Sequence, residues 1–295
     1  DQEWAVNELW SLDAGVDASR TLQEDDEFEG DTGSSTFNND TTASSGANED
    51  FTAVYLGATR RAEKWTWTGR TEHRFAETED KWNFFTGVIG EVHERTNMSL
   101  SLNVFDTHQD SGTRTVSSDL RFGFSYRPLD SPWILFNRLD FIYDEMTSDA
   151  LDNTTWKVVE HMDANWLPTD TFQAAFRYAC KYVGTTVGDD TYTGFSQLGG
   201  FELRTDITKR IDIGFAANAM HTLGANVVDY SCGPTIGFSP VTNTWISVGY
   251  NVVGFYDEDF SETNYTTQGF YVQFRLKFDQ DTGKAFAKWV GMRTD

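Results

Sequence analysis

The chain has 295 residues, with 46 acidic and 23 basic side chains and a net charge of −23. That balance argues against binding nucleic acid by neutralising its phosphates. Mean hydropathy is −0.49, and no apolar run approaches the roughly 20 residues of a membrane helix. A membrane barrel is not excluded by this, because its strands alternate and average out as hydrophilic.

The N-terminal stretch DQEWAVNELW reads as either a processed terminus or the cut end of a longer protein. From there on, two-residue alternation dominates and helical periodicity is scarce. Met98-Ser-Leu-Ser-Leu102-Asn-Val104 alternates, as do Leu120 to Tyr126 and Phe172 to Tyr178. Trp133 to Tyr143 alternates less cleanly, with Ile134, Phe136 and Ile142 on its second face. The pattern predicts about fourteen strands, near 10–22, 51–61, 64–75, 82–92, 97–106, 115–127, 132–144, 155–166, 171–183, 192–206, 211–222, 226–239, 244–256 and 266–279. Such segments exceed the usual soluble strand of about five or six residues and suit a tilted membrane strand of about nine to eleven. The first is the weakest, with only Trp10, Leu12, Ala14, Val16 and Ala18 as its stripe.

The connections sort into two sets. RRAEK, HERTN, RPLDSP, LPTD, ITKR and SPVTN are short and balanced or slightly basic, and four of the five prolines sit in them. The other set holds residues 23–50, AETED, THQDSGTR, DEMTSDALDN, GTTVGDD and DEDFSETN, and is mostly longer and acidic. The expected arrangement is therefore short periplasmic turns opposite longer acidic extracellular loops, with both termini periplasmic. Segment 23–50 reads as a solvated loop of low complexity. Divalent cations could bind at such acidic loops, but DDEFEGD does not follow the helix-flanked calcium-loop pattern. Trp65, Trp67, Trp82, Trp133, Trp156, Trp166 and Trp245 fall near strand ends, as an interfacial girdle would place them.

Within the strands, charges recur on the face opposite the apolar stripe. Arg70, Glu72, Arg74, Arg121, Arg138, Asp140, Arg177, Glu202, Arg204, Arg275 and Lys277 are expected to face a lumen, with Lys157, His161, Asp163, Lys181 and Asp206. In GFYVQFRLKF, Phe270, Val272, Phe274, Leu276 and Phe278 are expected to face lipid. This last strand should pair with Trp10 to Ala18 to close the barrel. No G-x-S-x-G, P-loop, dinucleotide fingerprint or zinc spacing is present. His221 with Asp229, and His108 with Asp106 and Asp110, are the groupings an enzyme would have to use, and a non-enzymatic protein without cofactor is expected. Cys180 and Cys232 read as separate thiols or as a disulfide.

The run Val248-Gly-Tyr-Asn-Val-Val-Gly-Phe-Tyr-Asp-Glu-Asp-Phe260, followed by Tyr265 to Asp281, resembles the closing hairpin of C-terminal barrel domains in some large modular surface proteins of Gram-negative bacteria. Elsewhere the chain resembles Gram-negative outer-membrane β-barrels in general. The resemblance implies a membrane anchor for another part or partner, and a chain continuing before Asp1. Such barrels usually end on an aromatic residue, whereas Phe278 is followed by a tail over 280–295, expected to be periplasmic.

The expectation is thus all-β: a single antiparallel transmembrane β-barrel domain over 1–295, in outer-membrane lipid and lipopolysaccharide. It would serve as a scaffold or anchor for a surface or periplasmic partner. A passive diffusion channel for small solutes and a soluble all-β carbohydrate-binding protein are the alternatives.

Overall fold

A computed structural model describes residues 2–19, 50–224, 227–240, 244–256 and 267–276, with residues 275 and 276 described by their backbone alone. Among the described residues there is no helix. Fifteen strands follow one another: β1 (Gln2–Ala5), β2 (Trp10–Ser19), β3 (Phe51–Arg61), β4 (Trp65–Ala76), β5 (Glu79–His93), β6 (Thr96–Gln109), β7 (Arg114–Tyr126), β8 (Trp133–Thr147), β9 (Asn153–Thr169), β10 (Phe172–Val187), β11 (Asp190–Thr208), β12 (Ile211–Leu223), β13 (Val227–Phe238), β14 (Thr244–Asn251) and β15 (Gly269–Leu276). They form one sheet in sequence order, a meander in which each strand hydrogen-bonds to the next. Contact density divides the chain into two units. One comprises Asp1–Val88, Ser101–Asp119 and Tyr143–Thr154, and the other Ile89–Leu100, Leu120–Ile142 and Thr155–Asp295.

Register follows the alternation. In the first unit, Val54 pairs with His73, Leu56 with Thr71 and Gly57 with Arg70 across β3 and β4. In the second, Phe176 pairs with Phe201, which pairs in turn with Ala217. A one-residue slip anywhere would turn each apolar set onto the charged face, so the sequence specifies register strongly. The buried apolar residues are few. Ala179, Leu198 and Met220 form one cross-strand row that lies on the charged face, not on the apolar one. The large apolar side chains of the other face, among them Leu56, Trp82, Phe141, Phe176, Phe201, Phe215 and Ile236, are exposed. A soluble sandwich covers such a face with a second sheet; here nothing among the described residues does so.

The fifteen strands roughly match the expected count of about fourteen; the addition is β1, which folds back onto β2 with Glu3 opposite Asp13 and Trp4 opposite Leu12. Four residues with two apolar side chains are too short to show an alternation, which is why sequence periodicity misses them. The strand expected to close against β15 is therefore paired on both sides over Ser11–Ala14, by β1 and by β3. The described ladder of β15 runs to β14 alone, with Phe270 opposite Tyr250 and Phe274 opposite Ile246.

The connections also differ from expectation. Strands run further than their apolar stripes, because a backbone ladder continues as long as partners remain and does not require apolar side chains. THQDSGTR shrinks to residues 110–113 and GTTVGDD to residues 188–189, while RPLDSP, at 127–132, is longer than either. Length sorting is lost, but charge sorting stands. Connections after even-numbered strands carry Glu77, Asp110, Asp149, Asp152 and Asp189 and no lysine or arginine among their described residues. Those after odd-numbered strands mix Glu63, Glu94, Asp130 and Asp170 with Lys64, Arg95, Arg127, Lys209 and Arg210. The expectations for 23–49 and for 280–295 lie outside the described residues.

The β5–β6 turn holds a non-glycine residue in the left-handed region, Arg95 at φ 58°. Its amide donates to Glu91 Oε1 at 2.9 Å and its carbonyl accepts from the Arg127 amide at 3.1 Å. Those backbone bonds survive loss of the side chain, while the steric cost of the left-handed conformation, about 1 kcal/mol, does not. Arg95→Gly is expected to raise stability by roughly 0.5–1 kcal/mol, read as a higher urea midpoint of the purified protein. A lower midpoint would show that the guanidinium itself holds the turn.

Candidate functional site: the charged face of the sheet

In the first unit the charged face starts from a glycine. A Cβ on Gly57 would run into the Asp13 carboxylate of the neighbouring strand, so the small residue makes room for a large acid. Arg70 Nη2 donates to Glu72 Oε2 at 2.7 Å, two residues along the same strand face. The Arg70 guanidinium also covers the Tyr55 ring at 3.8 Å, and Arg74 covers Phe51 at 4.0 Å. Arg70, Glu72 and Arg74 thus share one face of β4, as the alternation requires.

The second unit carries the denser arrangement. Asp140 on β8 is 3% exposed. Arg121 Nε on β7 donates to its Oδ1 at 2.9 Å, and Arg138 Nε lies 2.9 Å from its Oδ2, away from the hydrogen-bonding direction. One carboxylate therefore sits between two guanidiniums that are themselves 45% and 40% exposed. On the next strands Arg177 Nε donates to Asp163 Oδ1 at 3.3 Å. Across β11 and β12, Arg204 lies 3.2 Å from both Glu202 and Asp212. Asp212 is deeply buried, and a Cβ on Gly237 would collide with it. Tyr271 lies over Gly249 in the same way, filling the space that its missing side chain leaves.

Of the expected charged set, Arg121, Arg138 and Asp140 form one cluster, Glu202 and Arg204 another, and Arg177 pairs with Asp163. Arg275 stands opposite Trp245 in backbone register, and Lys277 and Phe278 lie outside the described residues. Phe270, Val272 and Phe274 occupy the apolar face and are 81%, 68% and 63% exposed; Leu276 is the last residue of the same strand. Asp212 was missed, although Ile211-Asp-Ile-Gly-Phe215 alternates and puts it on the charged side. Register separates His221 from Asp229: His221 faces Val228, and Asp229 faces Met220 on the opposite side of the sheet. His108 Nδ1 does lie 3.5 Å from Asp106, but Asp106 is held bidentately by Arg114 at 2.9 and 2.8 Å. Cys180 and Cys232 are both free thiols. No group of His, Cys, Asp or Glu among the described residues is arranged to hold a metal ion.

The aromatic residues mark the limits of the apolar face. Trp133 stacks on Trp166 at 6.0 Å, Trp10 meets Trp67 at 5.9 Å, and Trp156 meets Tyr182 at 5.2 Å. Trp156 and Trp166 lie on one face of β9, ten residues apart. At ~3.3 Å per residue and a tilt of ~40°, that spacing spans roughly 25 Å, the height of a membrane barrel's apolar band. Trp245 departs from the expected girdle, since register puts it with Ser247 and Gly249 on the charged face. One polar pair interrupts the apolar face: Asn137 Nδ2 donates to Glu160 Oε1 at 3.1 Å.

Comparison with solved structures gives two informative likenesses. The siderophore receptor PirA from Pseudomonas aeruginosa matches 70% of this chain and 42% of its own, with TM-score 0.57 and 5% identity. A mutant of the ferric enterobactin receptor PfeA from the same organism, in complex with enterobactin, matches 69% of this chain and 41% of its own, with TM-score 0.53 and 5% identity. The fold is that of the outer-membrane β-barrels. At that identity the likeness extends to fold alone, and the matched part is about two fifths of either receptor's length. CdiB from Acinetobacter baumannii aligns over 90% of this chain and 65% of its own, at 9% identity and TM-score 0.31. No family model and no curated protein sequence matches the chain.

Within an outer-membrane barrel fold, the two faces have different solvents. The interactions on the charged face are electrostatic, with arginines beside buried carboxylates. A cavity of about 350 Å³ opens within the second unit among Arg121, Arg138, His161 and Asp163. Two apolar side chains of that same face, Ile89 and Phe136, complete its wall. Phe136 is one of the residues that spoiled the alternation of Trp133 to Tyr143, so the signal was present in the sequence as an irregularity.

Proposed function

We propose that this chain is an integral outer-membrane protein whose apolar face meets lipid and whose charged face lines the barrel interior. It acts as a membrane-spanning scaffold that anchors or positions a surface or periplasmic partner. The observation that carries this reading is the division of the sheet. Large apolar side chains stand exposed on one face, while the charges of the other are engaged with each other between strands. Uncovered apolar surface of that extent is unfavourable in water and favourable in hydrocarbon. Carboxylates buried between arginines stiffen an interior and commit few of its charges to passing ions. The acidic even-numbered connections lie at the strand ends opposite the mixed-charge odd-numbered turns, which suits the extracellular side, where divalent cations bridge lipopolysaccharide and acidic loops. A soluble carbohydrate-binding protein has no use for the exposed apolar face. The cavity on the charged face favours the second reading, a path for small solutes.

The test is fractionation followed by conductance. The protein should enter the outer-membrane fraction, need detergent for extraction, show heat-modifiable migration and give no steady openings in planar bilayers. Recovery in the aqueous phase without detergent would end the membrane reading, and steady ion-selective openings would replace the scaffold by the channel.

A further inference from the structure

The cavity of about 350 Å³ in the second unit combines two features seldom found together on the charged face. Its lining includes Arg121 and Arg138, which share the buried Asp140 carboxylate, Arg121 through an Nε hydrogen bond and Arg138 through charge at 2.9 Å. Both guanidiniums remain part-exposed, at 45% and 40%, and both residues line the space. The lining also includes Ile89 and Phe136, 57% and 45% exposed although they lie on the charged face. The carboxylate of the lining, Asp163, is engaged by Arg177. Ser99 covers Gly123, where a Cβ would come 2.5 Å from Ser99 Oγ. The cavity lies toward the β5–β6 turn and the β7–β8 connection, which carry Glu94, Arg95, Arg127 and Asp130.

We propose that this cavity binds a small organic anion, a carboxylate carrying a compact apolar group. The carboxylate would be received by Arg121 and Arg138, which are held in place by Asp140 and need not reorganise to accept it. The apolar group would lie against Ile89 and Phe136, displacing water from side chains that otherwise gain nothing from it. The site rests on the reading that the charged face lines a solvent-filled interior.

The experiment uses the full chain in detergent with benzoate as the probe, followed by isothermal titration calorimetry. Benzoate should bind at least tenfold more tightly than neutral benzamide and than inorganic phosphate. Arg138→Gln leaves Asp140 its Arg121 partner and should weaken benzoate at least tenfold. Gly123→Leu must push Ser99, itself part of the lining, out of its place without touching an ion pair, and should abolish binding while heat-modifiable migration is retained. Equal affinity for benzoate and benzamide, phosphate binding as tight as benzoate, or no effect of Gly123→Leu would each overturn the proposal. So would absence of benzoate binding in a protein that partitions into membranes, and this leaves the membrane reading standing. A protein found in the aqueous phase that still binds benzoate would remove the membrane reading and keep the site.

Discussion

Replacing Asp140 with alanine is expected to destabilise the protein by about 2–4 kcal/mol, the largest loss for any single side chain on the charged face. The physical reason is asymmetric. Asp140 is almost wholly buried and is shared by Arg121 and Arg138, so its removal leaves two guanidiniums facing each other with no carboxylate between them. A fully buried pair broken from one side costs about 3–5 kcal/mol. Here both arginines keep part of their hydration, so the lower half of that range and somewhat below applies. Asp149→Ala, in an exposed acidic connection, should stay within about 0.5 kcal/mol. The measurement is the urea midpoint of refolding into lipid vesicles, or the temperature at which the folded band on a gel disappears. Equal, small effects at both positions would mean that the Arg121–Asp140–Arg138 cluster does not hold neighbouring strands together. Raised salt should narrow the difference only slightly, since the shared carboxylate is shielded from bulk ions.

The sequence was most informative where each side chain had to choose between two solvents. Phe270, Val272 and Phe274 against Tyr271 and Gln273 settle the face of β15 by period alone, and Arg70, Glu72 and Arg74 do the same for β4. It was least informative where backbone pairing decides the outcome without help from side chains. β1 has too few apolar residues to show a pattern, and the outer ends of β10 and β11 reach Val187 and Asp190 through a ladder of threonines and glycine. Which charges meet was only half legible. Alternation places Arg121, Arg138 and Asp140 on one face, but two-residue period carries no information on cross-strand neighbours, so Asp212 joined Arg204 unannounced. The cavity was visible only as a fault. Ile89 and Phe136 put apolar atoms where the pattern called for polar ones, and the fold turns that fault into a wall.

The same logic gives opposite expectations for two positions on one strand. Phe201 lies on the apolar face of β11, beside Phe215 at a ring separation of 6.3 Å and opposite Phe176 and Ala217. Gly194, on the same strand but with odd spacing from Phe201, belongs to the charged face, and a Cβ there would meet nothing within 4 Å. An arginine on the lipid side of a barrel costs about 2–4 kcal/mol near the bilayer midplane and less toward either interface. Phe201→Arg should therefore lower the unfolding free energy in vesicles by about 2–3 kcal/mol, whereas Gly194→Arg, opening onto water, should change it by less than about 0.5 kcal/mol. A reversal of the two would mean that the faces have been assigned the wrong way round. Comparable losses would mean that Phe201 faces a protein partner or water rather than lipid. Nature's own exception on this face follows the rule that makes the expectation: Glu160 stands within the band between Trp156 and Trp166 with Asn137 already bonded to it. A polar group in hydrocarbon is tolerated when it brings its partner along, and the arginine at 201 would bring none.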